Sequence, residues 1–343
     1  MKALVHTAPY QFEYTDWPMP VCGPDDLLVR VKACAICGSD IKGYSGKTGR
    51  RQPPIIMGHE AAGIVEQVGA NVVGFAPGDR VCFDSTVYCM RCEYCLSGHK
   101  NLCSNRQVVG VAEGTYRRHG AMAEYVTVPY WISVKMPDNM TFPQAALIET
   151  ASIGVHGANR TPLTLNDTVV VVGAGAVGLV ALQAIRLKGA GKTIVTDLSP
   201  SRLAMASQFG ADVTIQADVP DLLGALRAET GPEGADAVIE AVGVQATLNT
   251  ALAITRKGGG LTLIGNVSPR VEFDLQSIVS REITLYGVCA TNEFPDVVAL
   301  VGAGRMNVDP FISELVSLED GQAVFDRLYK GVEGNIRSVF VFD

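Results

Sequence analysis

The chain has 343 residues, which is enough for two domains with large buried cores. Hydrophobic residues make up 48% and charged residues 18%, the balance of an ordinary globular protein. The net charge of −7 argues against nucleic acid as the main partner, because there is no excess of cations to replace counterions. An odd number of cysteines and a start, MKALVHTAPY, that turns polar too early for a secretory signal predict a protein of the reducing cytoplasm.

Residues 1–150 combine glycine turns with short β-type runs, which predicts a compact, mostly β domain. The clearest of these runs are LLVRVKA (27–33), AAGIVEQVG (61–69) and DRVCF (79–83). The segment GYSGKTGRRQPP (43–54) is basic and rich in turn residues, so we expect it to form a surface loop.

Four of the nine cysteines lie close together in the stretch CMRCEYCLSGHKNLC. They are Cys89, Cys92, Cys95 and Cys103. The spacing C-x2-C-x2-C-x7-C lets the thiolates of one short lobe close around a tetrahedral ion, and zinc suits four sulfur ligands. Four ligands leave no position for a substrate, so this zinc would be structural. The alternatives are a chance cluster of buried cysteines and, for His99 within the lobe, either a spare ligand or a solvated loop residue.

A second group of metal-ligating residues is spread over the same domain. It comes from the pieces CGSD (37–40), GHE (58–60) and IET (148–150). Cys37, His59 and a carboxylate would leave room for water or a substrate oxygen, which a catalytic zinc requires. The alternative is that His59 and its neighbouring glutamate only form a polar turn. Cys34 makes a C-x-x-C with Cys37, but its place on a predicted strand favours a packed core residue.

Residues 151–287 have a different rhythm, in which short apolar strands are separated by helix-length segments and predict a doubly wound parallel sheet. The six predicted strands are 168–172, 193–197, 212–215, 235–240, 261–265 and 283–288. The uncharged stretch 168–185 is long enough for a membrane span, but its central GAGAVG favours a buried strand, tight turn and helix. Residues 288–343 return to short elements and are predicted to pack on the first domain.

The motif GAGAVG after the first of these strands predicts a nucleotide site. Its members are Gly173, Gly175, Ala176, Val177 and Gly178. The glycines permit a tight turn and close approach of a pyrophosphate to the amides at a helix N-terminus. Asp197, at the end of the next strand, would accept hydrogen bonds from ribose hydroxyls and repel a 2′-phosphate, which favours NAD over NADP. Arg202 could offset that repulsion, and the alternative for the motif is a glycine-rich turn with a capping aspartate.

Together these motifs resemble the zinc-containing medium-chain dehydrogenase/reductase superfamily. The resemblance covers essentially the whole chain and rests on CGSD, GHEAAG, GDRV, the four-cysteine lobe, GAMAEYV, IETASIGVHG and VVGAGAVG, in this order. Within the superfamily the chain is most similar to the polyol dehydrogenases of the sorbitol (L-iditol) and galactitol-phosphate type. Glu149 decides this, because classical alcohol dehydrogenases carry cysteine at that place. Threonine dehydrogenases are near neighbours.

The resemblance implies a GroES-like, mostly β catalytic domain combined with a Rossmann domain, and a homodimer or homotetramer formed through the cofactor domain. It implies that Cys37, His59 and Glu60 are ligands of a catalytic zinc, and that Glu149 binds this metal directly or through water. Ser39 would pass the proton of the alcohol outward. The reaction implied is hydride transfer from a secondary alcohol to NAD, with a catalytic and a structural zinc in each chain.

Two positions depart from the family pattern. Many relatives continue the proton relay with a histidine where this chain has Lys42. Sorbitol-type enzymes carry an Arg-Tyr pair that holds polyol hydroxyls, whereas this chain reads GVCATNEFP (287–295) near that place. The substrate therefore does not follow from the resemblance.

One group of cations offers a clue to the substrate. Lys42, Lys47, Arg50 and Arg51 form a positive cluster, close in sequence to Cys37, that could receive a substrate phosphate or could simply be a solvated loop.

The leading hypothesis is a zinc- and NAD-dependent dehydrogenase of a sugar alcohol or its phosphate. A threonine-type, simple secondary-alcohol or diol dehydrogenase remains open because the Arg-Tyr pair is missing. The acidic charge and the dinucleotide motif argue against a zinc-ribbon binding protein. The complete ligand sets argue against a zinc-free reductase. We expect a small-molecule substrate and neither nucleic acid nor a membrane as partner.

Overall fold

The computed structural model describes residues 1–343, which fold as two compact units. The first unit comprises Met1–Thr150 and Asn292–Asp343, and the second comprises Ala151–Thr291. None of the helices combines the length and the apolar run that a membrane crossing requires.

The chain up to residue 160 is dominated by short strands. The strands are β1 (Lys2–Ala8), β2 (Gln11–Asp16), β3 (Asp26–Ala35), β4 (Ile55–Ile56), β5 (Glu60–Val68), β6 (Arg80–Phe83), β7 (Thr86–Val87), β8 (Gln107–Val108), β9 (Val111–Glu113), β10 (Tyr116–Arg118), β11 (Tyr125–Pro129) and β12 (Ser133–Lys135). The helices are α1 (Gly38–Tyr44), α2 (Glu93–Leu96), α3 (Phe142–Ala146) and α4 (Ile148–Arg160), with 3-10 turns at Lys100–Leu102 and Tyr130–Ile132.

The following segment alternates strands and helices. Its strands are β13 (Thr168–Val172), β14 (Lys192–Asp197), β15 (Val213–Gln216), β16 (Ala235–Glu240), β17 (Thr255–Leu263) and β18 (Thr284–Gly287). Its helices are α5 (Ala176–Leu187), α6 (Pro200–Gln208), α7 (Leu222–Thr230), α8 (Gln245–Ile254) and α9 (Leu275–Ser280). The chain ends with α10 (Phe294–Gly302), β19 (Ile312–Ser317), α11 (Gly321–Lys330) and β20 (Arg337–Val341), and with 3-10 turns at Asp309–Phe311 and Leu318–Asp320.

A seven-stranded sheet organises the first unit. Its order is β12-β6-β5-β3-β20-β19, and β11 pairs with the first half of β3, whose last residues pair with β20. The central strand β3 pairs antiparallel with β5 and β20, so it brings an early and a late part of the chain together. Its valines and leucines lie in the core with Phe83, Phe325 and Phe340.

The second unit is a doubly wound parallel sheet, as predicted, and the α/β fold class is confirmed. The strand order is β15-β14-β13-β16-β17-β18, and every pair is parallel. Val169, Val170, Val171 and Val172 of β13 are buried, as expected for a central strand covered on both faces. The order reverses between β13 and β16, and this is where such sheets bind ligands outside the carboxyl ends of their strands.

One predicted strand is longer in the structure than the sequence indicates. The prediction placed it at 261–265, whereas β17 begins at Thr255. The run KGGG (257–260) hid its first six residues, because glycines weaken a strand pattern. The pairing with β16 shifts register there, from Ala235–Thr255 to Ala237–Gly260, and glycine tolerates such an irregularity.

Candidate metal and nucleotide sites

The first candidate site begins where β3 ends. Cys37 has extended backbone dihedrals and caps helix α1, and its Sγ accepts the backbone N–H of Ser39 at 3.4 Å. The first turn of this helix then carries Ser39, which is exposed, and Asp40, which is fully buried. The same turn therefore supplies a thiol and, directly after it, a hydroxyl and a carboxylate.

Sheet pairing brings the other members of this group to Cys37. Glu60 is the first residue of β5 and pairs with Ala35 of β3, two residues before Cys37. His59 is 6% exposed and Glu60 is 0% exposed. The ligand atoms of Cys37, His59 and Glu60 all lie within 4.8 Å of one another. Residues that the sequence separates thus form one compact, largely buried donor group.

The donor group fits a zinc ion. One carboxylate oxygen of Glu60, Oε2, accepts from Arg337 Nε at 3.2 Å, but the other, Oε1, is buried without a hydrogen-bond partner. An orphaned buried carboxylate oxygen is costly unless something binds it. One thiol, one imidazole and one carboxylate form a ligand set that catalytic zinc sites use, and three ligands leave a fourth position open.

Asp40 orients the histidine of this group. Its Oδ2 faces His59 Nδ1 at 3.4 Å, and both atoms are buried with no other partner. Although burial alone would raise the pKa of Asp40, the nearby His59 and Arg51 hold it well below its usual range, so the side chain is a carboxylate. A carboxylate at Nδ1 fixes the ring and leaves Nε2 for a metal.

Glu149 lies in the first turn of α4 and is 7% exposed. Its Oε1 accepts the hydroxyl of Ser85 at 2.6 Å, and it does not belong to the compact group of three ligands. Burial raises the pKa of Glu149, and His59 opposes this rise more than any other neighbour does. The carboxylate is therefore close enough to the donor group to interact with it electrostatically.

Lys42, predicted in place of a relay histidine, lies in the last turn of α1 and is exposed. Partial burial lowers the pKa of its ammonium, and the neighbouring Cys37 counteracts this. Lys42 thus lies on the same helix as Ser39 and interacts electrostatically with Cys37.

The four cysteines of the lobe converge as the sequence predicts. All four Sγ atoms lie within 4.8 Å of one another, with 3.4 Å from Cys92 to Cys95, 3.8 Å from Cys92 to Cys103 and 4.0 Å from Cys89 to Cys95. Zinc–sulfur bonds of about 2.3 Å in a tetrahedron place the sulfurs about 3.8 Å apart, so the lobe fits zinc. None of the nine cysteines forms a disulfide. His99 stays outside the group and lies 3.2 Å from Ser97 Oγ through Nδ1.

The prediction that Arg51 belongs to a basic surface loop is wrong. Arg51 is only 6% exposed, and its Nη2 lies 2.9 Å from Asp40 Oδ1. Arg50 pairs with Glu113 at 2.9 Å on the surface. Arg51 is therefore not part of a solvated loop surface, because the fold buries its guanidinium against a carboxylate of α1.

Sequence reasoning missed three residues around the site, Asp40, Ser85 and Arg337, and it assigned Arg51 to a basic loop instead. Asp40 could have been found, because it stands in the CGSD motif three residues after a ligand. Arg337 had no local signal, since it reaches Glu60 only through the pairing of the last strand with β3. Cys34 is buried in the core, as predicted.

The glycines of the nucleotide motif differ in what surrounds them. Gly173 has φ +102°, and a Cβ there would lie 2.4 Å from Val242 Cγ2. A Cβ on Gly178 would lie 1.9 Å from the carbonyl oxygen of Gly173. Gly175 caps α5 and faces open space, with nothing within 4 Å of an added Cβ. Two glycines thus serve close packing, and the middle one leaves room where a pyrophosphate would approach.

Asp197, the last residue of β14, contacts the same glycine loop. Its Oδ2 accepts the N–H of Ala174 at 2.7 Å, and its Oδ1 accepts the N–H of Ser199 at 2.9 Å. Arg202 lies in α6, the helix that follows this strand. The carboxylate therefore holds the glycine loop and the start of that helix beside each other.

Comparisons with known proteins agree with this architecture. Residues 23–138 match the alcohol dehydrogenase GroES-like domain, and residues 176–303 match the zinc-binding dehydrogenase domain. The chain is 35% identical to sorbitol dehydrogenase from Bacillus subtilis over 95% of this chain and 93% of that protein. It is 32% identical to D-arabitol-phosphate dehydrogenase from Enterococcus avium over 97% and 96%. A zinc-binding dehydrogenase from Sinorhizobium meliloti, solved with NADP, has 30% identity and a TM-score of 0.92 over 99% of both chains.

The chain belongs to the zinc-type alcohol dehydrogenases of the medium-chain dehydrogenase/reductase superfamily. It is a zinc-dependent oxidoreductase that uses a nicotinamide cofactor, and its relatives lie in the polyol dehydrogenase branch.

Proposed function

We propose that this enzyme oxidises a secondary hydroxyl of a sugar alcohol with NAD. The observation that carries the proposal is the largely buried group of Cys37, His59 and Glu60, with the hydroxyl of Ser39 two residues after Cys37 in the first turn of α1. The activities named for sorbitol dehydrogenase and D-arabitol-phosphate dehydrogenase support the substrate class.

The residues divide the chemistry between them. Zinc, when bound, would supply a Lewis acid that lowers the pKa of a substrate hydroxyl. Cys37, His59 and Glu60 would hold the metal, and Glu149 would contribute a carboxylate directly or through water. Ser39 Oγ would receive the proton of the alcohol while its own hydroxyl proton passes outward to water, and Lys42 would stand where other family members have the relay histidine.

We further propose NAD rather than NADP as the cofactor. The carboxylate of Asp197 stands at the end of β14 beside the glycine loop, where it would repel a 2′-phosphate. Because the similar Sinorhizobium protein was solved with NADP, the cofactor preference of this chain has to be measured. Calorimetric titration of the protein with NAD and with NADP should give the lower Kd for NAD. A lower Kd for NADP would overturn the assignment.

We assign the metal chemistry to the first unit and cofactor binding to the second. We also propose a cytoplasmic homodimer or homotetramer. Strand β18 is an edge of its sheet, and Leu285 on this strand is 36% exposed. An exposed apolar edge strand is a ready surface for a second copy.

The free polyol is favoured over its phosphate. Of the four cations that could have received a phosphate, Arg51 is buried against Asp40, and Arg50 pairs with Glu113 on the surface. A diol or simple secondary alcohol is the second candidate, because the Arg-Tyr pair that clamps polyols in sorbitol-type enzymes is replaced near Cys289 and Ala290.

One panel of substrates tests the proposal. NAD reduction would be followed with pentitols, hexitols, their phosphates, threonine and simple diols, on protein whose zinc content has been counted. The fastest turnover is expected with a pentitol or hexitol. No turnover of any of them by protein that holds two zinc ions would refute the activity, and a preference for phosphates would refute the choice of the free polyol.

A further inference from the structure

Arg51 is the one buried cation that contacts both the candidate relay residue and the support of a candidate metal ligand. Its Nη2 donates to Ser39 Oγ at 3.2 Å and to Asp40 Oδ1 at 2.9 Å. Its Nε donates to the same Asp40 oxygen at 3.1 Å. Since Asp40 faces His59 Nδ1 through its other oxygen, a continuous path of polar contacts joins the serine hydroxyl to the histidine.

The fold makes special room for this arginine. A Cβ on Gly43 would lie 2.4 Å from Arg51 Cγ and 3.2 Å from its Cβ. Helix α1 therefore has no side chain at the point where the stem of Arg51 crosses it. The side chains of Arg51 and Asp40 are 5% and 0% exposed, so their contacts are protected from water.

We propose that Arg51 is a positioning residue that fixes the hydroxyl of Ser39 and, through Asp40, the imidazole of His59. This rests on the proposed function, in which Ser39 receives the proton of the alcohol. A guanidinium donates hydrogen bonds and never accepts them. One lone pair of Ser39 Oγ is thus occupied by Arg51, the hydroxyl hydrogen must point away from Arg51, and the second lone pair remains for the alcohol.

Lysine cannot take over both contacts. Arginine presents its donors in a rigid planar fork and stays charged at any working pH, whereas lysine offers a compact ammonium on a flexible stem. An Arg51→Lys variant therefore keeps the charge near Asp40 but loses the fixed geometry that spans Asp40 and Ser39. The neighbouring Arg50→Lys is a matched control, since Arg50 is exposed and pairs with Glu113 on the surface.

The first measurement needs no substrate. Zinc release to the chromogenic chelator 4-(2-pyridylazo)resorcinol would be followed for wild type, Arg51→Lys and Arg50→Lys. We expect the faster-released zinc to leave Arg51→Lys about 10–100-fold faster than wild type, the usual effect of disturbing an outer partner of a metal ligand. The zinc of the four-cysteine lobe and the Arg50→Lys variant should release at wild-type rates. Unchanged release from Arg51→Lys would overturn the link to His59.

The second measurement tests the link to the serine. With zinc in excess and the best alcohol of the panel, Arg51→Lys should lower kcat more than it raises KM. In the Ser39→Ala background it should lower kcat less than it does in wild type, because the hydroxyl it positions is gone and only its link to His59 remains. Losses that multiply in the double variant would overturn this part.

A second variant guards against misfolding of Arg51→Lys. Gly43→Ala keeps the arginine but pushes its stem off α1, so zinc release should again become faster, and a wild-type rate would count against the proposal. If wild type oxidises no alcohol at all, the proposed function fails, while the zinc release rates still decide the role of Arg51.

Discussion

The ion pair of Glu60 and Arg337 is withdrawn from water, with the two side chains 0% and 13% exposed. Removing one partner of such a pair leaves an uncompensated buried charge. We therefore expect Arg337→Met to lower the free energy of unfolding by about 3–5 kcal/mol. Urea unfolding followed by tryptophan fluorescence measures this well, because Trp17 and Trp131 both belong to the first unit.

The matched control for this prediction is Arg327→Met. Arg327 donates to both carboxylate oxygens of Glu314, at 2.7 and 2.8 Å, but its side chain is 45% exposed. An exposed pair contributes less than about 1 kcal/mol, so this variant should unfold almost as wild type does. Equal losses in the two variants would show that burial of Glu60 does not govern the effect.

Glu149 gives a second prediction at the scale of single residues. Replacing it with alanine removes a buried carboxylate that lies near His59 and Glu60 and accepts from Ser85. We expect turnover to fall about 10–100-fold, as when outer ligands of a metal are lost. The Kd of NAD, measured by calorimetry, should stay near that of wild type. A fully active Glu149→Ala variant would refute the role of this residue.

How far the sequence predicts the site depends on where the contacts come from. Cys37, His59 and Glu60 stand in motifs that are readable locally, and the structure brings them together, although their roles stay predictions. Arg51 was misplaced because a basic, turn-rich segment looks like a surface loop. Its burial depends on Gly43, eight positions earlier, and on a carboxylate eleven positions earlier, both in helix α1, whose packing against Arg51 no local pattern reveals.

At the scale of elements, different glycines between β13 and the start of α5 serve packing and cofactor binding. A Cβ on Gly178 would lie 1.9 Å from the Gly173 oxygen, whereas a Cβ on Gly175 would meet nothing. Gly178→Ala should therefore destabilise the fold by about 1–3 kcal/mol, the usual cost of overpacking. Gly175→Ala should leave stability unchanged but weaken NAD binding, because its methyl group occupies the space for the pyrophosphate.

Thermal unfolding and calorimetric titration with NAD would be run on both variants. Gly175 has φ −71° and ψ 176°, which alanine adopts without strain, so backbone effects do not confuse the comparison. If Gly175→Ala bound NAD as tightly as wild type, the cofactor phosphates would have to lie elsewhere.

The cysteine lobe and the donor group of β3 and β5 should release zinc differently. Four thiolates enclose one ion completely, while the second group has one thiolate and two other ligands and leaves a position open to water. Mild chelation is expected to remove one zinc per chain together with activity and to leave the zinc of the lobe. Metal counting beside an activity assay checks this, and simultaneous loss of both ions would contradict it.

The elements themselves were largely predictable where composition and period agree. Strands β13 and β16 begin and end as predicted, because apolar, β-branched runs there are bounded by turn residues. Strand β17 was predicted only from Leu261 on, since its first part contains three successive glycines, of which Gly260 pairs with Ala237 of β16. Local propensity carried no information there, and tertiary pairing decided the conformation.

At the scale of the whole molecule, the proposed assembly rests on one exposed edge. Strand β18 pairs only with β17, and nearby Leu275 and Val279 of α9 are 69% and 67% exposed. We expect a variant with Val279→Lys and Leu285→Lys to sediment with a lower mass than wild type, because a lysine on the edge strand and another on α9 disfavour contact with a second copy. Analytical ultracentrifugation of wild type and variant measures the change directly.

Leu198→Lys is the control for this last prediction. Leu198 is also 67% exposed and belongs to the same unit. It follows β14, which lies on the side of the sheet away from β18. It should keep the mass of wild type, because a charge placed away from the edge meets no second copy. Both sets of lysines replace side chains that already contact water, so thermal unfolding of the second unit should change little apart from the loss of subunit contacts. A wild type that sediments as a monomer, or a double variant that keeps the wild-type mass, would exclude β18 as the interface.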